Sequence, residues 1–219
     1  MPRILFTKTD DAIWISHLDL MRLFQRAFKR AGLALTHTQG YNPRPSVSIA
    51  LPLSVGVESV CELLDFDLEG ERVPCDEITR RLNDALVPGV KVLQTYESGS
   101  KLKELCFLQC AITMEYDGGV NSQAVESLTD LFRRESILVE KKGKNGIVQQ
   151  DIIPMIRHIS IHQEDANTLV IDCVICCQNP TLNPTQIVVA ITNELPQFVP
   201  DFVRCRRLEI LNAEEKQFR

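Results

Sequence analysis

The sequence predicts an α+β protein built as two ferredoxin-like domains in tandem, each a βαββαβ unit with an antiparallel sheet, over residues 1–99 and 100–219. Three observations carry this. The 219 residues, 44% of them hydrophobic, suffice for two cores of roughly 100 residues each. Strand-like alternation and helix-like spacing succeed one another in nearly the same order twice. The polar stretch SGSKLKE, residues 98–104, interrupts them midway. No direct sequence repeat links the halves, so the duplication is read from element order alone.

The first unit opens with RILFTKT (3–9), whose apolar and polar positions alternate as in a strand. Ser16 then caps a helix with Asp19 at its third position, and Gly32 stops it after the basic turn Lys29, Arg30. Within that helix Leu20, Leu23, Phe24, Ala27, Phe28 and Ala31 recur at three- and four-residue spacing. Arg22, Arg26, Lys29 and Arg30 therefore fall largely on the outer face. SVSIALPL and VCELLDFDLEG follow as two strand-like runs joined near Gly56. PCDEITRRLNDALVPG is a helix with Pro74 in its first turn and a stop at Pro88 and Gly89, and VKVLQTYE is a strand.

In the second unit LCFLQCAITMEY predicts a long strand and SQAVESLTDLFRRE a helix. SILVEKKGKNGIVQQDI predicts two strands about a Gly-Lys-Asn-Gly turn. IRHISIHQEDANTLVIDCVICC continues as β structure, NPTQIVVAITNEL is a helix, and VRCRRLEIL is a last strand.

No apolar run approaches the roughly 20 residues needed to span a bilayer, and the N-terminus lacks the order of a signal peptide. The expectation is a soluble, cytoplasmic protein without a membrane partner. Eight cysteines are then expected as reduced thiols. The formal charge of −5 excludes a wholesale nucleic-acid coat, but the charge is uneven. Residues 1–49 hold seven Lys/Arg against three Asp, a balance of +4, and the other 170 residues hold 17 against 26, or −9.

Among chemistry-bearing residues the cysteines come first. A site-open iron–sulfur cluster of the radical S-adenosylmethionine (SAM) type needs three thiolates spaced C-x3-C-x2-C. Thr113 stands where the third cysteine after Cys106 and Cys110 would be, and Leu169 where the first before Cys173 and Cys176 would be. Strand alternation places Cys106 and Cys110 on one face with Leu108, Ile112 and Met114, as core residues. Cys173 and Cys177 share a face with Ile171 and Ile175. His37, His158 and His162 show no zinc-site spacing, so neither metal nor cofactor is expected.

His17 and Asp19, an imidazole and a carboxylate at a helix head, are the candidates for acid–base chemistry. The plainer alternative is that Asp19 caps the helix and His17 caps or packs. No nucleophile is spaced beside them.

The elbow QGYNPRP, residues 39–45, is more informative. Gly40 permits a positive φ, Asn42 can bond nearby backbone, and Pro43 and Pro45 stiffen the chain on both sides of Arg44. Arg44 is thus presented to an anion with little freedom to lose, and Tyr41 stands close as a stacking partner. The alternative is a structural turn in which Arg44 pairs with a carboxylate such as Asp19. The basic face Arg22, Arg26, Lys29 and Arg30 is either a solvated surface or a field working with the elbow.

SHLDLMRLFQRAFKRAGLALTHTQGYNPRPSVSIALPLSVGVES resembles the signature of the bacterial radical SAM-linked proteins, the DUF2344 domain. The S-H-L-D-L opening, the R-A-x-x-R-A-G helix end and the G-[FY]-N-P-R-P elbow carry the resemblance, which extends over nearly the whole chain. Two positions depart from the common pattern: Tyr41 where Phe is usual, and Ser46 where a basic residue is usual. The resemblance implies a radical SAM protein as partner, fused or encoded alongside. It also implies a setting with an E/G-type RNase and ribosomal proteins.

Together these readings predict an accessory module, not itself an enzyme, that binds RNA or a ribosomal component for a radical SAM partner. A metal-independent RNA-processing or RNA-modifying enzyme using His17 and Arg44 is one alternative. A protein-binding scaffold is the other.

Overall fold

The computed structural model describes residues 2–143 and 146–219, and it is a mixed α and β protein with four α-helices and mainly antiparallel sheet. The chain divides into two compact units, residues 1–104 with Arg219, and residues 105–218.

The first unit runs β1 (Pro2–Lys8), α1 (His17–Arg30), β2 (Val47–Ile49), β3 (Glu58–Phe66), α2 (Cys75–Ala85) and β4 (Val90–Glu97). β1 lies between β4 and β3, and β2 pairs with the far side of β3, all antiparallel. Ile4 and Phe6 of β1 and Leu64 and Phe66 of β3 are buried together with Leu20, Phe24 and Phe28 of α1 and Ile78 and Leu82 of α2. Phe6 and Phe24 meet edge to face at 4.7 Å, and Phe28 and Phe66 lie 5.0 Å apart. These ring pairs fix α1 on the sheet by geometry as well as by burial.

Helix α1 is bounded as its sequence demands. Ser16 accepts the Asp19 N–H at 3.2 Å and donates to the Asp19 carboxylate at 2.8 Å. At the other end Gly32 takes φ +68, and the Leu33 N–H reaches back to the Phe28 carbonyl at 2.9 Å, which closes the helix with a left-handed residue. Ahead of α1 a short 3-10 turn, Asp10–Trp14, is pinned where Thr9 N–H bonds the Gly89 carbonyl at 2.8 Å. Only glycine fits there: a Cβ on Gly89 would stand 2.5 Å from the Thr9 oxygen.

The second unit runs β5 (Phe107–Glu115), α3 (Gln123–Phe132), β6 (Leu138–Gly143), β7 (Gly146–Asp151), β8 (Ile156–Asp165), β9 (Thr168–Cys176), α4 (Thr185–Glu194) and β10 (Phe202–Leu211). Its sheet has the order β10–β5–β9–β8, again antiparallel, and β6 and β7 form a separate hairpin. Of the Gly-Lys-Asn-Gly turn expected there, Lys144 and Asn145 lie outside the described residues. Two strand expectations shrink. β2 covers only Val47–Ile49, because Leu51 adopts φ +49 and Pro52 follows. Cys106 precedes β5, which begins at Phe107, whereas Cys110, Ile112 and Met114 are buried along one face.

Candidate functional site

The buried face of α1 decides where its cations go. With Leu20, Phe24, Ala27 and Phe28 inside, Arg22, Arg26, Lys29 and Arg30 are exposed. Arg22, Arg26 and Arg30 follow one another at four-residue steps and therefore form a single stripe. That stripe borders a groove of about 450 Å³. Ile15, Leu23 and Val87 give its apolar lining, and Asp19, Arg22, Arg26 and Arg30 its charged lining.

Three guanidinium groups thus share the groove with one carboxylate. Asp19 is held below the usual carboxylate range, first by the Ser16 hydroxyl and then by Arg22, whose Nη1 lies 2.9 Å away. Arg30 donates to the Ala85 carbonyl at 2.6 Å, at the C-terminal end of α2, where a cation also meets the negative end of the helix dipole. Arg26 makes no hydrogen bond or ion pair with any described residue. It stands between its two neighbours with its full donor set open to a ligand. Lys29 is likewise unpaired among the described residues, but it is not among the residues that line the groove.

The elbow is a narrow hairpin. Thr38 N–H bonds the Arg44 carbonyl at 2.8 Å, Arg44 N–H returns to the Thr38 hydroxyl at 3.0 Å, and Ser46 N–H bonds the Thr36 carbonyl at 2.8 Å. Its base is tied by Asp67 N–H to the Ser46 carbonyl at 3.2 Å, and Gly40 takes φ +143 at the tip. Tyr41, Asn42 and Arg44 are all exposed, and Tyr41 is wholly so. The Arg44 side chain pairs with no described residue. Asp19 is committed to Ser16 and Arg22, so it does not hold the elbow. The backbone of Arg44 is therefore fixed while its guanidinium projects outward.

His17 opens α1, and its Nδ1 is buried without a hydrogen-bond partner. No hydrogen bond joins it to Asp19. Five of the eight cysteines, Cys61, Cys110, Cys173, Cys177 and Cys205, are buried, and Cys110 and Cys173 are register partners across β5 and β9. Burial pushes the Cys173 and Cys177 thiols up to about 12 and Cys205 to about 11. Among the described residues no group of three or more His, Cys, Asp or Glu is placed to hold a metal ion.

Two features of the site escape sequence reading. Val87 reaches the groove only because the turn after α2 folds back beside α1. Trp14, 65% exposed at the head of α1, sits in a short segment without periodicity. Its one visible signal is being the sole tryptophan of the chain.

Residues 2–184 match the family described as an uncharacterized protein conserved in bacteria, DUF2344, and the chain belongs to that family. No curated protein matches it. Among solved structures it is similar to a chain of a Cbf5–Nop10–Gar1 complex, at 10% identity and a TM-score of 0.54, over 95% of this chain and 48% of that one. This chain thus spans about half the length of that neighbour, and the likeness is one of fold. An unknown protein from Galdieria sulphuraria is matched at 12% identity and a TM-score of 0.26, over 94% of this chain and 96% of that one. Among the described residues no helix is long and apolar enough to cross a membrane.

Proposed function

We propose that this DUF2344 protein is a non-catalytic cytoplasmic accessory module that binds RNA, free or within a ribosomal target, for a radical SAM partner enzyme. The observation that carries the RNA reading is the α1 groove, where Arg22, Arg26 and Arg30 meet a single carboxylate. A stripe of guanidinium groups at regular steps suits a polyanion, because each phosphate neutralised releases counterions and adds to affinity. Arg44 and Tyr41 on the elbow offer a second contact of different character, a guanidinium on a fixed backbone that can bond an anion in bidentate fashion and, three residues away, an exposed ring. The radical SAM partner rests on the sequence resemblance, together with the missing third thiolate in both cysteine clusters.

In this reading each unit is a ferredoxin-like split βαβ, and the second carries the β6–β7 hairpin as an insertion. The strand orders β4–β1–β3–β2 and β10–β5–β9–β8 support it. That scaffold hosts many activities, so the function is argued from the groove and not from the fold.

The test is fluorescence anisotropy with a labelled RNA across a salt series, alongside anaerobic co-purification with the neighbouring radical SAM protein. Binding that weakens steeply with salt and falls roughly tenfold or more in Arg26→Glu is expected. Salt-independent binding, or affinity untouched by Arg26→Glu, would remove the groove from the account. Failure to co-purify would remove the partner.

A further inference from the structure

We infer that the RNA held in the α1 groove is single-stranded, and that Trp14 is the platform on which one of its bases stacks. This rests on the RNA reading above and specifies its substrate. The starting observation is an indole left in water. Trp14 is 65% exposed, Leu18 one turn on is 66% exposed, and Val55 is 53% exposed. Several exposed apolar side chains gathered close in the chain and beside the seat of the ring mark a surface that a ligand can cover.

The backbone beneath the ring is rigid. The Ile13 carbonyl accepts both the Gly56 N–H, at 2.9 Å, and the ammonium of buried Lys8, at 2.9 Å. The Ile15 N–H bonds the Ala12 carbonyl at 3.0 Å. The six-membered ring of Trp14 lies over Gly56, where a Cβ would be in van der Waals contact at 3.5 Å. The tryptophan is therefore seated on fixed backbone, and a ligand finds it already placed.

Position supplies the second link. Trp14 is the chain neighbour of Ile15, which lines the groove at the end nearest the start of α1. From there Arg22, Arg26 and Arg30 follow at steps of roughly 6 Å along the helix, four residues at 1.5 Å each. That is comparable to the separation of successive phosphates in an extended strand. A cationic track whose lining begins one residue along the chain from an exposed aromatic ring suits a single strand: arginine takes the backbone, and the ring takes a base face without reading its sequence. In a duplex the bases are stacked on one another and offer no face to the indole. The charge on the adjoining stripe favours this occupant over a protein segment.

Because the chain has one tryptophan, intrinsic fluorescence reports on this site alone. The experiment titrates the intact protein with an unstructured oligoadenylate, an RNA duplex and an abasic strand of the same length, following tryptophan emission and anisotropy together. The single strand should shift Trp14 emission in step with binding; the abasic strand and the duplex should bind more weakly and leave it unchanged. Trp14→Ala should weaken single-strand binding about five- to a hundredfold while altering duplex binding less than about twofold. Trp14→Phe should recover much of the loss, which a merely structural role would not predict. Single-strand binding with unchanged emission and an unaltered Kd in Trp14→Ala would overturn the inference and leave RNA binding intact. Absence of binding to every RNA would overturn both readings.

Discussion

Helices α1 and α2 of the first unit both carry clustered arginines, yet they use them in opposite ways. On α2, Arg80 meets Glu77 at 2.9 Å and Asp84 at 3.2 Å, and Arg81 meets Glu77 at 2.7 Å. The hydrogen bonds from Arg80 and Arg81 pull the Glu77 carboxyl down to about 2. On α1 only Arg22 has a carboxylate partner among the described residues. The sequence shows why. Around Arg80 and Arg81 the positions one helical turn away hold Glu77 and Asp84, whereas around Arg26 they hold Arg22, Leu23, Lys29 and Arg30. Arginine density alone does not make an anion site. What matters is whether an acid stands three or four residues away.

The largest expected effect tests what holds the basic stripe outward. Phe24 is fully buried against Phe6, so Phe24→Ala should cost about 3–5 kcal/mol of unfolding free energy in a denaturant titration. The exposed change Arg80→Ala should cost far less, since surface ion pairs contribute little. If Phe24→Ala proved as mild, the two ring pairs would not be what orients α1.

Next in size is charge reversal. Arg26→Glu should weaken RNA binding roughly tenfold or more at low salt, since it places an acid between two arginines in the groove. Arg80→Glu should change it less than about twofold, because that guanidinium is already committed. Equal losses in anisotropy titrations would break the distinction between the helices.

How much of this was legible in the sequence follows the range of the interactions. The ends of α1 were written locally, in Ser16 with Asp19 and in Gly32, and both serve as the spacing predicts. Its inner and outer faces followed from periodicity. The burial of Cys110 and Cys173 followed from strand alternation. Illegible were the features made by distant backbone. The groove needs Val87 beside Leu23, and the seat of Trp14 needs Gly56 beneath it. Nothing in the local pattern of either residue announces those meetings. The elbow lies between the two cases: its stiffness was read from Gly40, Pro43 and Pro45, but the release of Arg44 from Asp19 depends on the partners that the helix cap gives that carboxylate.

Arg44 permits a comparison with Arg26 in which charge is held constant. Arg44→Lys keeps the cation but loses the planar fork, and on a hairpin fixed by Thr38 that should cost RNA binding about 1.5–3 kcal/mol if the contact is bidentate. Arg26→Lys, within a shared field, should cost less. Small and equal losses across a salt titration would reduce the elbow to a structural turn.

The smallest effect is the sharpest test of why the helices differ, because it removes one carboxylate and leaves every arginine in place. Glu77→Gln should release Arg80 and Arg81, with Asp84 then the one acid paired to them among the described residues. The α2 surface should begin to resemble α1, and the salt dependence of RNA binding should steepen by about 0.7 in slope for each cation that engages a single strand. The acid limb of stability gives an independent readout. The folded Glu77 carboxyl titrates near about 2, well below its ordinary 4.5, so the unfolded chain takes up the proton first as pH falls. The stabilisation is therefore fully present above about 4.5 and is lost as pH falls toward about 2. Glu77→Gln should flatten that part of the stability curve and lower its neutral plateau by what the pairing contributes there. A variant with a flattened acid limb but an unchanged salt slope would show that Glu77 pairs with Arg80 and Arg81, yet that pairing is not what keeps α2 from binding.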